Sequence, residues 1–442
     1  MFAFQAPPLE SNPQNRRRAE NRAICFTCVT EMGRVPFNDA AILILYATLL
    51  GAGDGIGMFM TGMHVMVLGL LSIPAAWLAL RDATRQGTII KASAATLVLC
   101  ALIVCAPLFG AYAKIVLLGS LVLGAFMYTV YLAAWFPLLD TFLPPGRRGV
   151  FLGKMDFSWQ LATASFLFVT GALIGKDPPL RHIQYAMVAG MVIYALRMYF
   201  CATIPRFDTP AEIRTAIPLR EGFKQALANK ALTGNAVYFF ILNIAAFGTI
   251  PLATIYLKKA LGAPDNIIIF ISATVQCGML TGSLCAGRII RRFGIRATLL
   301  GGHAVYALAN LALFLTGRNS LPGLWLYGAV ALTLFAYSFA CACVKISSQS
   351  EMMHLAEPGN KITAMAFNST FYYTGCGMAR ILTSLLLGSG VFAASWSIGS
   401  TVFCHYQTLF LFYTVGIVFA ASLLVVVPAV FPKGEYHYDA AE

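Results

Sequence analysis

Residues 231–257 have the sequence ALTGNAVYFFILNIAAFGTIPLATIYL, which contains no Asp, Glu, Lys or Arg. The hydrocarbon core of a bilayer is about 30 Å thick, and an α-helix needs about 20 apolar residues to cross it. Uncharged runs of 10–14 residues are more typical of helices buried in water-soluble domains. This longer stretch therefore predicts a transmembrane helix.

The same pattern recurs along a chain in which 59% of the residues are hydrophobic and 11% are charged. Two apolar blocks, 40–80 and 362–432, are too long for one crossing and are each divided in two. The sequence thus predicts an all-α polytopic membrane protein, with transmembrane helices at 38–60, 62–80, 92–112, 115–139, 151–175, 183–204, 231–257, 266–287, 297–317, 322–344, 361–388 and 405–431. A membrane barrel is not expected, because these twelve runs do not alternate polar and apolar residues.

The formal net charge of +13 follows from topology. With twelve spans, most Lys and Arg residues fall on the side of the N-terminus, so the positive-inside rule predicts that both termini are cytoplasmic. No nucleic-acid partner is expected. The polar, basic residues 1–37 show no cleavable signal peptide. Cys25 and Cys28 form an isolated CxxC pair, a weak signal, so neither a metal site nor a cofactor is expected.

The polar stretch 206–230 divides the chain into halves. Residues 211–228 within it fit either a surface amphipathic helix or a mobile linker. The predicted organisation is a cytoplasmic tail, an N-terminal six-helix bundle, a cytoplasmic linker, a C-terminal six-helix bundle and a second cytoplasmic tail, at residues 1–37, 38–205, 206–230, 231–432 and 433–442.

Two pairs of loops indicate that the halves are repeats. RDATRQG at 81–87 corresponds to RIIRRFG at 288–294, and PPGRR at 144–148 corresponds to EPGNK at 357–361. The two offsets are nearly equal and close to half the chain length. Repeats of this kind are typical of secondary transporters.

On these motifs the chain resembles the major facilitator superfamily from about residue 38 to 432. Gly287 to Arg296 is similar to the basic loop motif of that family, although Arg291 occupies its usual acidic position. The resemblance implies two six-helix bundles that rock around a central site, and we expect a monomer. It also implies the following gating-loop residues: Asp82, Arg85, Gly87, Asp140, Arg147, Arg148, Arg288, Arg292, Gly294 and Arg296. The helix-5 glycine ladder of antiporters is absent from 157–175.

Arg380 is the main candidate for solute binding, because charge inside a span is costly and marks functional sites. It lies deep in span 11 and shares one helix face with Asn368, Tyr372, Cys376 and Ser384, which recur every four residues. We expect this face to line a pore, where Arg380 binds an anion or gates. The alternative is a structural ion pair or bonds to backbone carbonyls.

Two more charges fall inside predicted spans. Asp54 in span 1 fits either reversible protonation, which would couple proton and solute movement, or a fixed pair with a partner such as Arg380. Arg197 lies near the cytoplasmic end of span 6, and we expect its side chain to snorkel to the interface.

Uncharged candidates share helix faces in spans 4 and 7, which the resemblance implies line the cavity: Tyr128, Tyr131 and Trp135 in span 4, and Asn235 and Asn243 in span 7. Gln160 in span 5 and Gln276 in span 8 are two further polar candidates. They fit either solute contacts or helix packing and interhelical hydrogen bonds.

We therefore predict a secondary transporter of the bilayer that moves a small polar solute by alternating access. The position of Arg380 inside a span favours an anionic solute, and that of Asp54 favours coupling of transport to protons. The alternatives are a non-transporting assembly factor or sensor on the same fold, and a membrane-embedded transferase. An enzyme is not expected, because His64, His303, His354 and His405 are scattered without a catalytic spacing.

Overall fold

The structure is a computed structural model that describes residues 13–79, 84–143, 148–205, 207, 224, 227–318, 320–355, 361–399 and 401–427. The described residues are mostly helical. The first half contains α1 (Pro13–Asn38), α2 (Ala40–Leu49), α3 (Asp54–Leu70), α4 (Ser72–Ala79), α5 (Arg85–Val104), a 3-10 helix (Ala106–Tyr112), α6 (Ala113–Asp140), α7 (Arg148–Ile174) and α8 (Leu180–Ala202). The second half contains α9 (Lys230–Ala246), α10 (Thr249–Lys259), α11 (Asp265–Leu315), α12 (Leu324–Leu355), α13 (Lys361–Ser389), β1 (Ser395–Ile398), β2 (Thr401–Cys404) and α14 (His405–Val426).

Eight helical stretches of the described chain are long and apolar enough to cross a bilayer. They are Arg85–Val104, Ala106–Leu139, Phe151–Ile174, Leu180–Ala202, Lys230–Lys259, Asp265–Leu315, Leu324–Met352 and His405–Val426, and Asp54–Leu70 is a shorter apolar helix. The stretch Asp265–Leu315 contains a non-helical residue, Gly294, with φ 80°. Glycine tolerates this left-handed conformation because it has no Cβ. Gly294 therefore forms the bend at the loop that was predicted between spans 8 and 9.

The predicted span 38–60 is wrong in its boundaries, because the chain turns between Leu49 and Asp54. Gly51 has φ 73° in this turn. Asp39 begins α2, where its Oδ1 accepts hydrogen bonds from the Ala41 and Ile42 amides. The helix α1 ends just before it, and α3 begins at Asp54. A count of apolar residues does not detect a turn between two apolar helices.

Residues before 38 were expected to form a tail, but α1 packs against α7 and α8. One face of α1 is buried, including Ala19, Ala23, Phe26 and Thr30. At its crossing with α8, a Cβ on Gly33 would lie 2.5 Å from the Tyr194 amide nitrogen. The glycine thus permits backbone contact, and α1 belongs to the N-terminal bundle.

Glycines also bring α3 of the first half against α13 of the second half. Gly55, Gly62 and Gly69 recur every seven residues on α3, so they lie on one face. A Cβ on Gly62 would lie 2.9 Å from Arg380 Cβ, and one on Gly69 would lie 2.6 Å from the Thr374 amide nitrogen. This close contact between the halves fixes the position of Arg380.

A two-stranded antiparallel hairpin, β1 and β2, precedes α14 and was not predicted. Phe403 stacks on Phe314 with a centroid separation of 4.7 Å, and Trp396 stacks on Phe403. The Trp396 indole donates to Thr408 Oγ1 at 2.8 Å. The hairpin therefore packs against the end of α11 and the start of α14.

Candidate functional site

Arg380 lies at the seam between the two halves. Its Nη1 donates to the Thr61 carbonyl of α3 at 3.0 Å, and its Nε donates to the Phe247 carbonyl at 3.4 Å. Its Cζ is 5.5 Å from the centre of the Phe247 ring. Among the described residues it forms no ion pair with a carboxylate. A half-buried cation without a counter-ion is suited to binding an anion.

The Phe247 carbonyl is available because of the sequence that follows it. Phe247 lies between α9 and α10, and the residue four positions later is Pro251. Proline has no N–H, so the usual i+4 helical donor is missing. The free carbonyl accepts a hydrogen bond from Arg380 instead. Bonds to backbone carbonyls were one of the two alternatives that the sequence left open for Arg380.

A second cationic centre lies on α1. The Arg34 guanidinium donates to both carboxylate oxygens of Glu31, at 3.1 and 3.2 Å, and lies 3.2 Å from His64 Nε2. Its Cζ is 3.4 Å from the centre of the Tyr128 ring, and the Tyr128 hydroxyl donates to Glu31 Oε1 at 3.0 Å. These four residues, here called the Arg34 cluster, connect α1, α3 and α6.

The two guanidinium groups contact α3 at positions one helical turn apart. Thr61 bonds to Arg380 and His64 bonds to Arg34, and both arginines act electrostatically on the His64 ring. Asp39 is the carboxylate that interacts with Arg380 at longer range. Its Oδ2 already accepts from Ser272 Oγ at 2.6 Å, and its Oδ1 caps α2. Two arginines, Arg34 and Arg380, are thus accompanied by two carboxylates, Glu31 and Asp39, and Arg380 is the arginine without a direct carboxylate partner among the described residues.

Asp54 lies at the start of α3 and does not pair with Arg380. Its Oδ1 is 3.7 Å from Lys259 Nζ, and its Oδ2 accepts from the Tyr406 hydroxyl at 2.5 Å. Lys259 ends α10 and Tyr406 lies in the first turn of α14, so both partners belong to the other half. The arrangement is a cross-half contact, here called the Asp54 latch.

The prediction that Arg197 snorkels to the interface is wrong. Its side chain is fully buried, with Cζ at 4.9 Å from the Phe26 ring, 4.2 Å from Tyr131 and 4.6 Å from Tyr194. Its Nη1 donates to the Tyr194 hydroxyl oxygen. Because α1 packs over α8, the route to the interface is covered, and the guanidinium stays among aromatic rings.

The uncharged candidates are divided between packing and the seam. Trp135 and Tyr131 are buried and pack on Phe26, which corresponds to their packing alternative. Tyr128 belongs to the Arg34 cluster, and Asn243 Nδ2 donates to the Tyr372 carbonyl at 3.2 Å. Buried side-chain oxygens without a hydrogen-bond donor occur on Asn235, Asn368 and Gln160, and Gln276 is half-buried.

A sequence profile of the Major Facilitator Superfamily matches residues 28–380. The chain belongs to the major facilitator superfamily. No curated protein matches it by sequence. Membership in this superfamily makes the protein an integral, multi-pass secondary transporter and not an enzyme.

Solved structures share the superfamily fold at low sequence identity. The nucleoside transporter NupG is 12% identical, with a TM-score of 0.68 over 95% of this chain and 99% of that chain. A POT family transporter in complex with a thioalcohol-conjugated peptide is 12% identical, with a TM-score of 0.71 over 94% and 97%. The xylose transporter XylE from E. coli, in an inward open conformation, is 11% identical, with a TM-score of 0.68 over 95% and 97%.

Two arginines of the superfamily loop motifs bond within their own half. Arg85 Nη1 donates to the Pro137 carbonyl near the end of α6 at 2.7 Å, and Arg296 Nη2 donates to the Leu424 carbonyl near the end of α14 at 3.5 Å. Helix C-termini favour such cations. The Gly87 amide donates to Oγ1 of Thr84, the N-cap of α5, and Arg288 and Arg292 are exposed. Asp82, Arg147 and the side chains of Asp140 and Arg148 lie outside the described residues.

The sequence analysis missed Glu31, Arg34 and His64. The first two were assigned to a tail, although the small or apolar positions Ala19, Ala23 and Phe26 recur at helical spacing ahead of them. That spacing would have predicted a buried helix face. His64 was considered only as a catalytic residue.

Proposed function

We propose that this superfamily member carries a small organic anion, which binds at the seam beside Arg380. The observation that carries the proposal is the position of Arg380 between the halves, with a backbone carbonyl of each half as a hydrogen-bond partner and no described carboxylate paired with it. The nearby Arg34 cluster contains a second guanidinium, which is paired with Glu31. An anion at this site would contact both halves, as alternating access requires.

We infer that the chain crosses the membrane twelve times, with both termini cytoplasmic and the protein monomeric. The crossings would be α1 with α2, α3 with α4, α5, α6, α7, α8, α9 with α10, the two parts of α11, α12, α13 and α14. At 1.5 Å per residue, the 51 residues of α11 are about twice as long as one crossing needs. In this arrangement the first membrane crossing begins within α1.

We infer that Glu31, and not Asp54, carries proton coupling. Glu31 is half-buried, and its oxygens accept hydrogen bonds from Arg34 and Tyr128. If the solute anion pairs with the Arg34 guanidinium in place of Glu31, the Glu31 carboxylate loses its counter-ion. A buried carboxylate without a partner is costly, so proton uptake would follow anion binding. Asp54 serves the latch instead.

The test of anion binding uses purified protein in proteoliposomes. Wild-type protein is expected to exchange at least one member of a panel of organic anions, and Arg380→Ala is expected to lower the exchange rate at least tenfold. Arg318→Ala is the matched control, because Arg318 is exposed in the loop after α11. Undiminished anion exchange by Arg380→Ala would refute the proposal, and exchange of neutral solutes alone would replace it.

The non-transporting alternative makes the opposite prediction. A sensor or assembly factor on this fold would bind a ligand without net movement across the bilayer. Binding of an anion, measured as a thermal shift, without counterflow in proteoliposomes would favour that alternative.

A further inference from the structure

The helices α9 and α12 run antiparallel through the C-terminal half and are joined at both ends. At one end, the Tyr337 hydroxyl of α12 donates to the Ala246 carbonyl of α9. At the other end, Nδ2 of Asn229, the N-cap of α9, donates to the Leu355 carbonyl at the end of α12 at 3.0 Å. These two contacts fix which residues of the two helices lie at the same depth.

Asn235 is level with two polar residues of α12. It lies about 9 Å along α9 from Asn229, at 1.5 Å per residue. Measured from Leu355 in the same way, Glu351 lies about 6 Å and Ser347 about 12 Å along α12. The depth of Asn235 therefore falls between those of Glu351 and Ser347.

The same polar residues belong to the stripes along which the two helices pack. Residues three and four positions apart share a helix face, and the two stripes are Leu232, Asn235, Phe239 and Leu242 on α9, and Val344, Ser347, Glu351 and Leu355 on α12. Phe239 and Val344 belong to one apolar cluster, and Leu232 and Leu355 belong to another. The polar residues are therefore enclosed between two apolar layers.

Two oxygens in this polar layer are buried without a hydrogen bond. Asn235 is 1% exposed and Ser347 is 0% exposed. Asn235 Oδ1 and Ser347 Oγ have no hydrogen-bond partner within the described parts of the chain. Most buried polar groups in proteins have one, so each of these oxygens calls for an explanation.

The helix α13 runs parallel to α9 with a nearly constant offset in sequence. Arg380 Nε donates to the Phe247 carbonyl, and these two residues are 133 positions apart. A Cβ on Gly375 would lie 2.7 Å from the Phe240 carbonyl oxygen, and this pair has nearly the same offset. Residues of α13 can therefore be assigned to a depth on α9.

This offset places Asn368 of α13 at the depth of Asn235. Asn368 lies two helical turns before Gly375, so it shares the face that contacts α9. Its Oδ1 is also buried and lacks a hydrogen-bond partner among the residues that the structure describes. A third oxygen of the same kind thus lies at the junction of the three helices.

The chemistry of this set points to a cation. A water molecule could donate to two of the oxygens, whereas a metal cation contacts all of them at once. Amide, hydroxyl and carboxylate oxygens are ligands of hard cations, and the fully buried Glu351 carries one negative charge at the same junction. A divalent ion would bring a second positive charge into a buried seam, which is costly.

We propose that the junction of α9, α12 and α13 is a Na⁺ site. Its ligands are three side-chain oxygens and one carboxylate, from Asn235, Ser347, Asn368 and Glu351. The ion would hold together the helices that carry Arg380 and its Phe247 partner. The site is separate from the anion site, because Asn368 lies three turns from Arg380 on α13.

The experiment measures binding of radioactive Na⁺ to the purified full-length protein, together with its melting temperature as NaCl replaces choline chloride at constant ionic strength. In the wild type, binding is expected to saturate and the melting temperature is expected to rise with it, because an ion that binds only the folded state stabilises it. The same titration with KCl is expected to give a smaller rise.

Ser347→Ala removes one ligand and is expected to weaken Na⁺ binding by about tenfold or more, since even outer-shell partners of metal ligands contribute about that much. In choline this variant is expected to melt no lower than the wild type, because it removes a buried oxygen that lacks a partner. Ser338→Ala is the matched control. Ser338 is a buried serine on the opposite face of α12, and its hydroxyl bonds to the Leu334 carbonyl of its own helix.

Glu351→Gln removes the charge and is expected to abolish Na⁺ binding, whereas Arg380→Ala is expected to bind Na⁺ like the wild type. Either this inference or the anion proposal can therefore fail without the other. A wild type that does not bind Na⁺ saturably would overturn the site and indicate a bound water. An equal response to K⁺ would overturn the assignment to Na⁺. Where Glu351→Gln does not fold, Ser347→Ala decides, and unchanged Na⁺ binding by that variant would refute the proposal.

Discussion

Asp54 and Lys259 form an ion pair between the two halves of the transporter, with 3.7 Å between Oδ1 and Nζ. Asp54 begins α3 and Lys259 ends α10, and the Tyr406 hydroxyl adds a hydrogen bond to the same carboxylate. The pair is partly exposed, so its strength is limited by solvent screening. It nevertheless joins parts that must separate when this end of the molecule opens.

Loss of the latch should favour the state in which this end is open. An exposed pair contributes about 0.2–1 kcal/mol, so Lys259→Ala should shift the ratio of states by up to about fivefold. The reaction rate of a water-soluble maleimide with Ser384→Cys, which is buried near Gly55 at this end, measures the shift. Lys258→Ala is the control, because Lys258 pairs with Asp265 within its own half. Equal rates in both variants would contradict the latch.

The contact between α3 and α13 should not tolerate a side chain at Gly69. A Cβ there would lie 2.6 Å from the Thr374 amide nitrogen, which is backbone and cannot rotate away. Overpacking costs about 1–3 kcal/mol, so Gly69→Val should lower the transport rate by about tenfold to a hundredfold. The control is Gly53→Ala at the start of α3, where a Cβ meets nothing within 4 Å. Wild-type uptake by Gly69→Val would show that this close contact is dispensable.

Arg197 should be replaceable by an apolar side chain of similar length. Its Nε and Nη2 lack hydrogen-bond partners, and burial of a charge offsets the attraction to the surrounding rings. Arg197→Met should therefore keep the melting temperature within a few degrees of the wild type and keep transport. Arg197→Ala should melt lower, because it leaves a void that costs about 2–5 kcal/mol. If both variants melt equally low, the cation itself stabilises the bundle.

Glu31→Gln should uncouple transport from protons. The amide keeps the shape of the side chain and cannot take up a proton, so accumulation driven by a pH gradient should vanish. Exchange of labelled solute across the membrane without a gradient should continue, since the site at the seam is intact. Asp54→Asn should retain gradient-driven accumulation. The reverse pattern would assign coupling to Asp54, and loss of exchange in Glu31→Gln would make Glu31 part of the binding site.

The sequence was sufficient to predict the superfamily and to single out Arg380 as a charge inside an apolar helix, because both depend on local signals. A charge inside an apolar run is visible without a structure, and the loop motif around Gly294 is a contiguous pattern. The predicted spans 361–388 and 405–431 begin at the same residues as α13 and α14. What Arg380 contacts was not predictable, because Thr61 and Phe247 are distant in sequence and offer only backbone oxygens.

Residues before 38 were assigned to a tail because polarity averaged over a window hides a helix that is apolar on one face only. The arginines from Arg16 to Arg22 outweigh the buried face of Ala19 and Ala23 when a window is averaged. The same error hid the Arg34 cluster and led to the interpretation of Arg197 as an interfacial residue. The turn at Gly51 carries a recognisable signal, since Gly51 and Gly53 precede Asp54.

The three glycines of α3 have a further consequence for how the halves move. Gly55, Gly62 and Gly69 touch the opposite helix without any side chain of their own. Residues with side chains lose rotamer freedom when they become packed, whereas glycine has none to lose. The two helices can part and meet again along this line with little entropic resistance. Binding of the solute and its accompanying charge, and not the cost of repacking side chains at the seam, is then expected to determine which conformation the transporter adopts.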